Sequence, residues 1–391
     1  MTQARAAIYL DSNASARVHP QALEAIASVL ERGERLLPNP SSIHEAGRKG
    51  KRLLAEAREK IAFSLGPKTD AEQLVLTSSG SEANQLAIRS VLAPQLSRGE
   101  KPHWITTPIE HDSVLQMRSW LEGAGGHVSF LPVNSEGVPD FSALPALWRP
   151  ETRLVSVVWV NNETGVVSPL EGLAGQVRAL GGRLHIDAAQ AWGKIEIDVE
   201  KLGADLVTVS GHKIGGLAGT GVLWVGRGVP VTPVILGKQE KGRRGGTENL
   251  LGAVALGAAA QAIHPSGYAE TVGPLRDRLE SAICAKLPGT IVNGAGSRRV
   301  SNTLNLSFEG IEGDGLVIAL DLEGYSVSSG SACASGVLEP SHVLLAMGRS
   351  KGQAMAAVRV SLSEHETWEQ LEGFVEALGR VVERMRRRVK S

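Results

Sequence analysis

The sequence has few cysteines and no excess of charge of either sign. Only Cys284 and Cys333 occur among the 391 residues, which excludes a disulfide framework and a cysteine-based zinc site. Lys plus Arg equals Asp plus Glu, 41 of each, so the formal net charge is zero. Broad electrostatic binding to nucleic acid or to an anionic membrane is therefore not expected. We predict reduced thiols, no metal site and no direct nucleic-acid partner.

A long apolar run is also absent. The longest nearly apolar stretch, 250–263, is rich in Gly and Ala and too short to span a bilayer. Residues 1–11 show no basic segment followed by an apolar core, as a secretory signal would require. We therefore expect a cytoplasmic protein without a membrane segment, long enough for two domains.

Helix-type and strand-type patterns alternate along the chain. Apolar residues recur at three- and four-residue steps in 20–32 and 45–65, which predicts amphipathic helices. Short apolar runs bounded by polar loops predict buried strands, and they lie at 74–77, 104–107, 154–160, 184–186, 206–209 and 222–225. This alternation indicates an α/β fold with a mostly parallel sheet.

The Gly- and Pro-containing stretch 264–275 is interpreted as a seam before a second domain. It precedes a predicted helix (275–286), strand (303–308) and helix (313–322), and a long amphipathic helix (366–388) ending in cations. Those cations would interact favourably with the partial negative charge at the C-terminal end of the helix. A patch that binds nucleic acid or a partner protein is the alternative interpretation. We predict a large domain at 16–263 and a small domain formed by 1–15 and 264–391.

Two strand ends carry candidate cofactor contacts. Residues 77–84, Thr-Ser-Ser-Gly-Ser-Glu-Ala-Asn, follow a strand and open a helix, where free backbone N–H groups and hydroxyls favour phosphate. An ordinary helix cap by Ser81 is the alternative. Asp187 directly follows the strand 184–186. A carboxylate in this position could keep a pyridinium nitrogen protonated; helix capping by Asp187 is the alternative.

A third strand end carries a lysine. Lys213 closes the stretch Ser-Gly-His-Lys after strand 206–209, and lysine is the residue that forms Schiff bases with aldehyde cofactors. Ser210 and His212 can donate to a phosphate. A strand-end lysine alone is usually a surface residue. Its combination with Asp187, 26 positions earlier, and a following Gly-rich loop is more specific than any of these features alone.

These motifs occur in the order found in class V aminotransferases, and the chain most resembles the NifS/IscS-type cysteine desulfurases. The resemblance covers nearly the whole chain. It implies a fold type I α/β enzyme: a large domain with a mostly parallel seven-stranded sheet flanked by helices, plus a smaller α+β domain. The matching stretches are 10–15, 39–42, 79–84, 110–111, 160–163, 185–190, 210–213, 246–249, 302–305, 330–336 and 338–344.

The resemblance also implies roles in cofactor binding. Lys213 would hold pyridoxal 5′-phosphate as a Schiff base, Asp187 would pair with the ring nitrogen, and His111 would stack on the ring as a catalytic residue. Gln190 and Asn162 would lie near the phenolic oxygen, with Asn162 also near the substrate. The expected phosphate contacts are Gly80, Ser81, Ser210 and His212.

Three further expectations concern substrate and subunits. Arg359 would bind the substrate carboxylate, and Thr247 would reach the phosphate of a neighbouring subunit, implying a homodimer. L-Cysteine would be converted to L-alanine, with its sulfur kept on Cys333 as a persulfide for an acceptor protein in iron–sulfur assembly or thiolation. Cys284 lies in a helical pattern and is expected to be a small buried hydrophobe.

Other functions stay open at this point. One alternative is another class V enzyme: a selenocysteine lyase, a cystine or cysteine-sulfinate lyase, or a transaminase. A transaminase has no need of a loop thiol, so Cys333 is the discriminating feature. A non-catalytic pyridoxal-phosphate scaffold is the alternative from another class. It has no reason to keep Lys213, Asp187, His111 and Arg359 together.

Overall fold

The computed structural model describes residues 7–32, 36–311, 313–329 and 339–390. Within these ranges no helix combines the length and the hydropathy that crossing a membrane would need. Cys333 lies outside the described residues.

The strands of the described chain fall into three sheets. They are β1 (Ile8–Tyr9), β2 (Leu74–Thr77), β3 (His103–Thr106), β4 (His127–Phe130), β5 (Thr152–Val158), β6 (Arg183–Asp187), β7 (Leu206–Ser210), β8 (Gly221–Val225), β9 (Ile291–Val292), β10 (Thr303–Ser307), β11 (Tyr325–Ser326), β12 (Ser328–Ser329) and β13 (Ala357–Ser361).

The helices alternate with these strands through the first part of the chain and cover the small sheet in the second. They are α1 (Pro20–Arg32), α2 (Glu45–Ser64), α3 (Gly80–Ser97), α4 (Asp112–Leu115), α5 (Met117–Gly123), α6 (Leu144–Leu147), α7 (Leu173–Ala179), α8 (Val199–Leu202), α9 (Leu250–Ala262), α10 (Pro265–Lys286), α11 (Gly313–Leu322), α12 (His342–Ala346), α13 (Lys351–Met355) and α14 (Trp368–Lys390). Short 3₁₀ turns lie at Ala71–Gln73, Phe141–Ala143, Gly211–Lys213 and Gln239–Gly242.

The large sheet has seven strands in the order β2-β8-β7-β6-β5-β3-β4. All ladders from β7 to β4 are parallel, and β8 alone runs antiparallel to its neighbours β2 and β7. The carboxyl ends of β2, β3, β5, β6 and β7 therefore meet at one edge, where ligands bind in open α/β sheets. The predicted α/β class with a mostly parallel seven-stranded sheet is confirmed.

Helices bury both faces of this sheet because successive strand residues point to opposite sides. Leu206 and Leu223 pack in the cluster with α3 and α5, whereas Val207 and Trp224 belong to the larger cluster on the other face. The Ala- and Gly-rich α9, the predicted apolar run, packs against α1 and α2. A Cβ at Gly257 would lie 2.9 Å from Ala57 Cα, so glycine permits this close helix contact.

The second core surrounds a four-stranded antiparallel sheet in the order β12-β13-β10-β9. Helices α10, α11 and α14 cover it with an apolar cluster. The N-terminal segment joins this part of the molecule, since Leu10 belongs to the same cluster and β1 pairs in parallel with β11. The helix expected at 366–388 is present as α14.

One expectation about local structure was wrong, and one strand was missed. The helix predicted to start at 275 begins at Pro265, ten residues earlier, so that the stretch 265–275 is helical. Proline suits the first helical turn, and Val272 is fully buried in the second core, which offsets the Gly and Pro content. Strand β4 was missed, since it is a partly exposed edge strand with a weak apolar pattern.

Candidate active site

One cavity of about 340 Å³ lies at the carboxyl edge of the large sheet, and it brings together most of the predicted site residues. A volume of this size is in the range of small-molecule sites. The predicted residues that line it are Gly80, Ser81, His111, Asn162, Asp187, Gln190, Ser210, His212, Lys213 and Arg359.

The floor of the cavity includes the N-terminus of α3. Its capping residue is Ser79, whose Oγ accepts from the backbone N–H of Glu82 at 3.1 Å; the alternative interpretation, in which Ser81 caps the helix, is therefore wrong. Because Ser79 takes the cap position, Ser81 lies in the first helical turn, where backbone N–H groups have no partner within the helix. A Cβ on Gly80 would lie 3.1 Å from Ser210 Cβ, so glycine lets α3 approach β7 closely. This terminus suits an anion.

Asp187, at the end of β6, is 4 % exposed and held by two donors. Its Oδ2 accepts from Asn84 Nδ2 at 2.7 Å, and its Oδ1 accepts from the backbone N–H of Ala189 at 2.9 Å. Asn84 was not predicted as a site residue, although it stands in the Ser-Gly-Ser-Glu-Ala-Asn motif one turn after Gly80. A buried carboxylate fixed in this way can hold a cationic ring nitrogen opposite it.

Lys213 is held by the N-terminal segment. Its Nζ donates to the backbone carbonyls of Asn13 at 2.6 Å and Ala14 at 2.9 Å. Burial, and next the charge of Arg359, lower the pKa of Lys213 to about 8, against the opposing effect of Asp11 and Asp187. A sizeable fraction of this amine is therefore uncharged near neutral pH, as an attack on an aldehyde requires.

Arg359 reaches the cavity from β13 of the small sheet. Its Nη2 pairs with Asp11 Oδ1 at 2.6 Å and its Nη1 donates to the carbonyl of Asn162 at 3.0 Å. Its Nε is buried and has no partner within the described ranges. These bonds fix the guanidinium plane and leave a donor free, so that a carboxylate in the cavity can be bound. Sequence reasoning missed Asp11.

His111 follows β3 and caps α4. Its Nδ1 lies 2.8 Å from Ser113 Oγ and accepts from the backbone N–H of Ser113 at 3.1 Å. The ring itself lies on the cavity wall. One nitrogen is thus fixed by the local turn, which orients the ring beside the cavity.

One predicted site residue lies in a different cavity, and another lies outside the described residues. Thr247 lines a separate cavity of about 190 Å³ with Ser78 and Arg244, and not the cavity of its own Lys213. Cys333 is outside the described residues, but both flanks of its segment are attached beside the cavity. On one side Ser328 lies opposite Arg359 in the sheet. On the other, Ser341 Oγ donates to Glu163 Oε2 at 2.5 Å, next to Asn162.

The donor set fits pyridoxal phosphate. The helix terminus at Gly80 and Ser81, with Ser210 and His212, supplies neutral donors for a phosphate, because burial, and next Lys213, lower the pKa of His212 to about 4. Asp187 offers an anion for the ring nitrogen, and Lys213 offers the amine. The Nε–H of Arg359, which has no partner within the described ranges, can donate a hydrogen bond to the carboxylate of a substrate.

Two buried acids lie beneath the cavity. Burial raises the pKa of Glu110 to about 8 although Thr107 and the N–H of Val158 donate to it, and burial raises the pKa of Glu163 to about 7 against the Ser341 hydrogen bond. Both are therefore largely protonated at slightly acidic pH.

We predict that Glu110 lowers the stability of the fold as pH rises from about 6.5 to about 8, whereas the lowered pKa of the buried Lys194 acts in the opposite direction. The unfolded chain releases the Glu110 proton near pH 4.5, whereas the folded chain keeps it to about pH 8. The free energy of unfolding then drops by at most about 1.4 kcal/mol per pH unit for each retained proton. Burial lowers the pKa values of His103 and His185 to about 4. These two histidines make the free energy of unfolding rise with pH, but only below about pH 6.5.

Urea unfolding of wild type and Glu110→Gln at several pH values in this interval tests the prediction. Relative to wild type, the variant should lose less stability per pH unit, since its neutral amide carries no titrating proton. An identical pH dependence in both proteins would contradict the role given to Glu110.

Comparison with known proteins agrees with this geometry. The family model for aminotransferase class-V matches residues 8–374. A cysteine desulfurase of Nostoc sp. is 42% identical over 382 residues, covering 97% of this chain and 94% of the relative. A solved NifS-like protein is 32% identical with a TM-score of 0.88, covering 96% and 99% of the two chains. A solved structure described as SspA in complex with cysteine is 31% identical with a TM-score of 0.79, covering 92% and 99%.

The fold and the site thus define a pyridoxal-phosphate-dependent α/β enzyme. The chain belongs to the class-V aminotransferase family, and within it to the cysteine desulfurases of the NifS/IscS type.

Proposed function

We propose that the cavity around Lys213 converts L-cysteine to L-alanine and that the sulfur passes to Cys333. The observation that carries this proposal is the convergence in one cavity of an amine with a lowered pKa, a buried carboxylate and an arginine donor without a partner in the described ranges: Lys213, Asp187 and Arg359. The amine can bond the cofactor aldehyde, the carboxylate can pair with the cofactor ring nitrogen, and the arginine can hold the carboxylate of an α-amino acid.

Pyridoxal phosphate, when bound, supplies an electron sink for charge that develops at the substrate Cα. The protein's own groups do the rest. Asp187, fixed by Asn84, keeps the ring nitrogen charged, and Arg359, fixed by Asp11, orients the substrate through its carboxylate. Lys213, once released from the cofactor, moves the proton at Cα, because its lowered pKa lets it accept and return a proton near neutral pH.

The sulfur step balances without an outside oxidant. The Cys333 thiolate attacks the substrate sulfur, an S–S bond forms, and the Cβ–S bond breaks with its electron pair left on Cβ. Protonation at Cβ completes L-alanine, so L-cysteine and a thiol become L-alanine and a persulfide on Cys333. An acceptor protein, or an added thiol, then removes the outer sulfur.

The attachment of the Cys333 segment supports this assignment. Cys333 is four residues beyond Ser329, the last described residue before it, and four residues span at most about 14 Å. The neighbouring Ser328 lies opposite Arg359. The chain can therefore reach the position of a substrate bound by Arg359. The related SspA, solved with cysteine, supports cysteine as the substrate.

The test is product analysis with the purified, cofactor-loaded protein. With L-cysteine and a thiol reductant we expect equal amounts of alanine and sulfide. Selenocysteine and cysteine sulfinate are assayed in parallel, and a keto acid is added to detect transamination. Alanine from cysteine sulfinate or selenocysteine alone would overturn the proposal in favour of another lyase, and amino transfer to the keto acid without sulfide would favour a transaminase.

We also propose that the chain forms a homodimer. Several exposed large apolar side chains fall in two segments, 36–43 and 234–236, with Ile43 at 91% and Leu236 at 82% exposure. Clustered exposed apolar groups are typical of interfaces. The cavity of Thr247, which lies apart from its own Lys213 site, is available to a second copy. Light scattering should give twice the 41.3 kDa chain mass.

The division into domains and the compartment are proposals as well. The apolar cluster around the small sheet contains Leu10 and residues from Val272 to Val382. The two apolar clusters on the large sheet contain residues from 22–260 and Val300. This separation supports domains at 16–263 and at 1–15 with 264–391. A cytoplasmic location is supported by the need for a reduced thiol at Cys333.

A further inference from the structure

Lys194 is a buried lysine next to the active site that the proposed chemistry does not use. It lies in the turn after β6, four residues beyond Gln190, and is 6% exposed. Within the described ranges it pairs with no carboxylate, and its Nζ instead donates to two amide oxygens. These are Asn13 Oδ1 at 2.7 Å and Gln190 Oε1 in a short contact. A lysine without a counter-ion is rarely buried unless it has a specific task.

The contact with Gln190 decides how that amide is oriented. Lys194 donates to Oε1, so the amide nitrogen must point away from it. Gln190 Nε2 donates one proton to the carbonyl of Asn13 at 2.9 Å, and Gln190 lines the cavity. The second Nε2 proton is then available to an acceptor bound there.

The contact with Asn13 links Lys194 to Lys213. The backbone carbonyl of Asn13 accepts from Lys213 Nζ at 2.6 Å, while its side-chain Oδ1 accepts from Lys194. Asn302 Nδ2 donates to the same Oδ1 at 3.0 Å, and Asn13 Nδ2 donates to Thr303 Oγ1 at 2.9 Å. Asn13 is thus held on every polar atom, and Lys194 supplies one of those bonds.

The surroundings of Lys194 disfavour its charged form. Burial, and next the cations Lys213 and Arg359, lower the pKa of Lys194 well below its ordinary value. Its amine nonetheless has a donor for each of the two oxygens that it contacts.

We propose that Lys194 is a positioning residue, which orients the Gln190 amide so that its nitrogen faces the cofactor and which fixes Asn13, the residue that holds Lys213. The inference rests on the proposed function only in placing the cofactor in this cavity. It concerns how the cofactor is held and does not depend on which substrate is converted.

Lys194→Met removes both donors and keeps the length of the side chain. In the cofactor-loaded protein we expect a shifted visible absorption maximum, a cofactor affinity lower by about tenfold, and a kcat lower by about tenfold with KM nearly unchanged, as for other residues that orient a direct ligand. Lys201→Met, at an exposed lysine of α8, is the matched control and should leave all four quantities at their wild-type values. A modest fall in melting temperature is expected as well, because the buried oxygens Asn13 Oδ1 and Gln190 Oε1 each lose a donor.

A double-mutant cycle separates positioning from a general structural effect. If Lys194 acts through Gln190, Lys194→Met should cost little when Gln190→Ala is already present. An unchanged spectrum and affinity in Lys194→Met, or losses that multiply in the double variant, would overturn the proposal. If Lys194→Met does not fold, Lys194→Gln, which keeps one donor, is used, and it should lie between wild type and Gln190→Ala in cofactor affinity.

The spectral and affinity measurements stay informative if L-cysteine proves not to be the substrate. Failure of the proposed reaction leaves the cofactor spectrum of wild type intact, whereas failure of this inference leaves the Lys194→Met spectrum equal to that of wild type.

Discussion

A Lys213→Ala variant should bind pyridoxal phosphate without forming the visible Schiff-base absorption, and its production of alanine should fall by about a thousandfold or more. The loss has two causes. No amine is left to bond the cofactor aldehyde, and no group at this position moves the proton at the substrate Cα. The surroundings of Lys213 support both roles, because its Nζ is held by two carbonyls and burial lowers its pKa to about 8.

Spectra and alanine release are measured together, with Lys201→Ala as a control at an exposed lysine. Restored turnover on adding a small primary amine would confirm that the amine itself is missing. A Lys213→Ala protein that keeps the Schiff-base absorption would show that another lysine, with Lys194 as the nearest candidate, bonds the cofactor.

A Cys333→Ser variant should keep the cofactor colour of wild type and lose sulfide production by about a thousandfold, the order expected when a nucleophile is removed. Serine cannot form a persulfide, and its hydroxyl is a poor nucleophile toward sulfur. Cofactor binding should be unaffected, since the residues proposed to hold the cofactor lie in the described cavity.

Cys284→Ser is the matched control, because Cys284 is the other thiol of the chain. It lies on α10 in the small-sheet part of the molecule and is partly buried. Burial, and next the charge of Glu280, raise the pKa of the Cys284 thiol, which disfavours the reactive thiolate. Wild-type activity is therefore expected for Cys284→Ser. Loss of sulfide in this variant and not in Cys333→Ser would move the acceptor role to Cys284.

Much of the fold and of the site could be predicted from strand ends. Buried parallel strands leave strong apolar runs, and the polar residue that directly follows such a run must lie at the ligand-binding edge. This reasoning places Asp187 and Lys213 at one edge from the sequence alone, and the resemblance adds Arg359 from the far part of the chain. The fold brings all three into one cavity.

The supporting residues could not be found in this way. Asn84 contacts Asp187 from a different helix, and Asn13 contacts Lys213 from a position 200 residues earlier in the chain. Such contacts depend on how separate elements pack, and no local pattern encodes them. Lys194 was not predicted either, because a lysine in a turn is ordinarily exposed, and only the packing around Gln190 shows that it is buried.

The most direct test is a single turnover with L-cysteine in the absence of reductant, followed by mass spectrometry of the cysteine-containing peptides. One alanine per chain and one added sulfur atom on the Cys333 peptide, with the Cys284 peptide unmodified, is the result that the proposed mechanism predicts. Alanine formation with no sulfur on Cys333, or sulfur on Cys284, would contradict it.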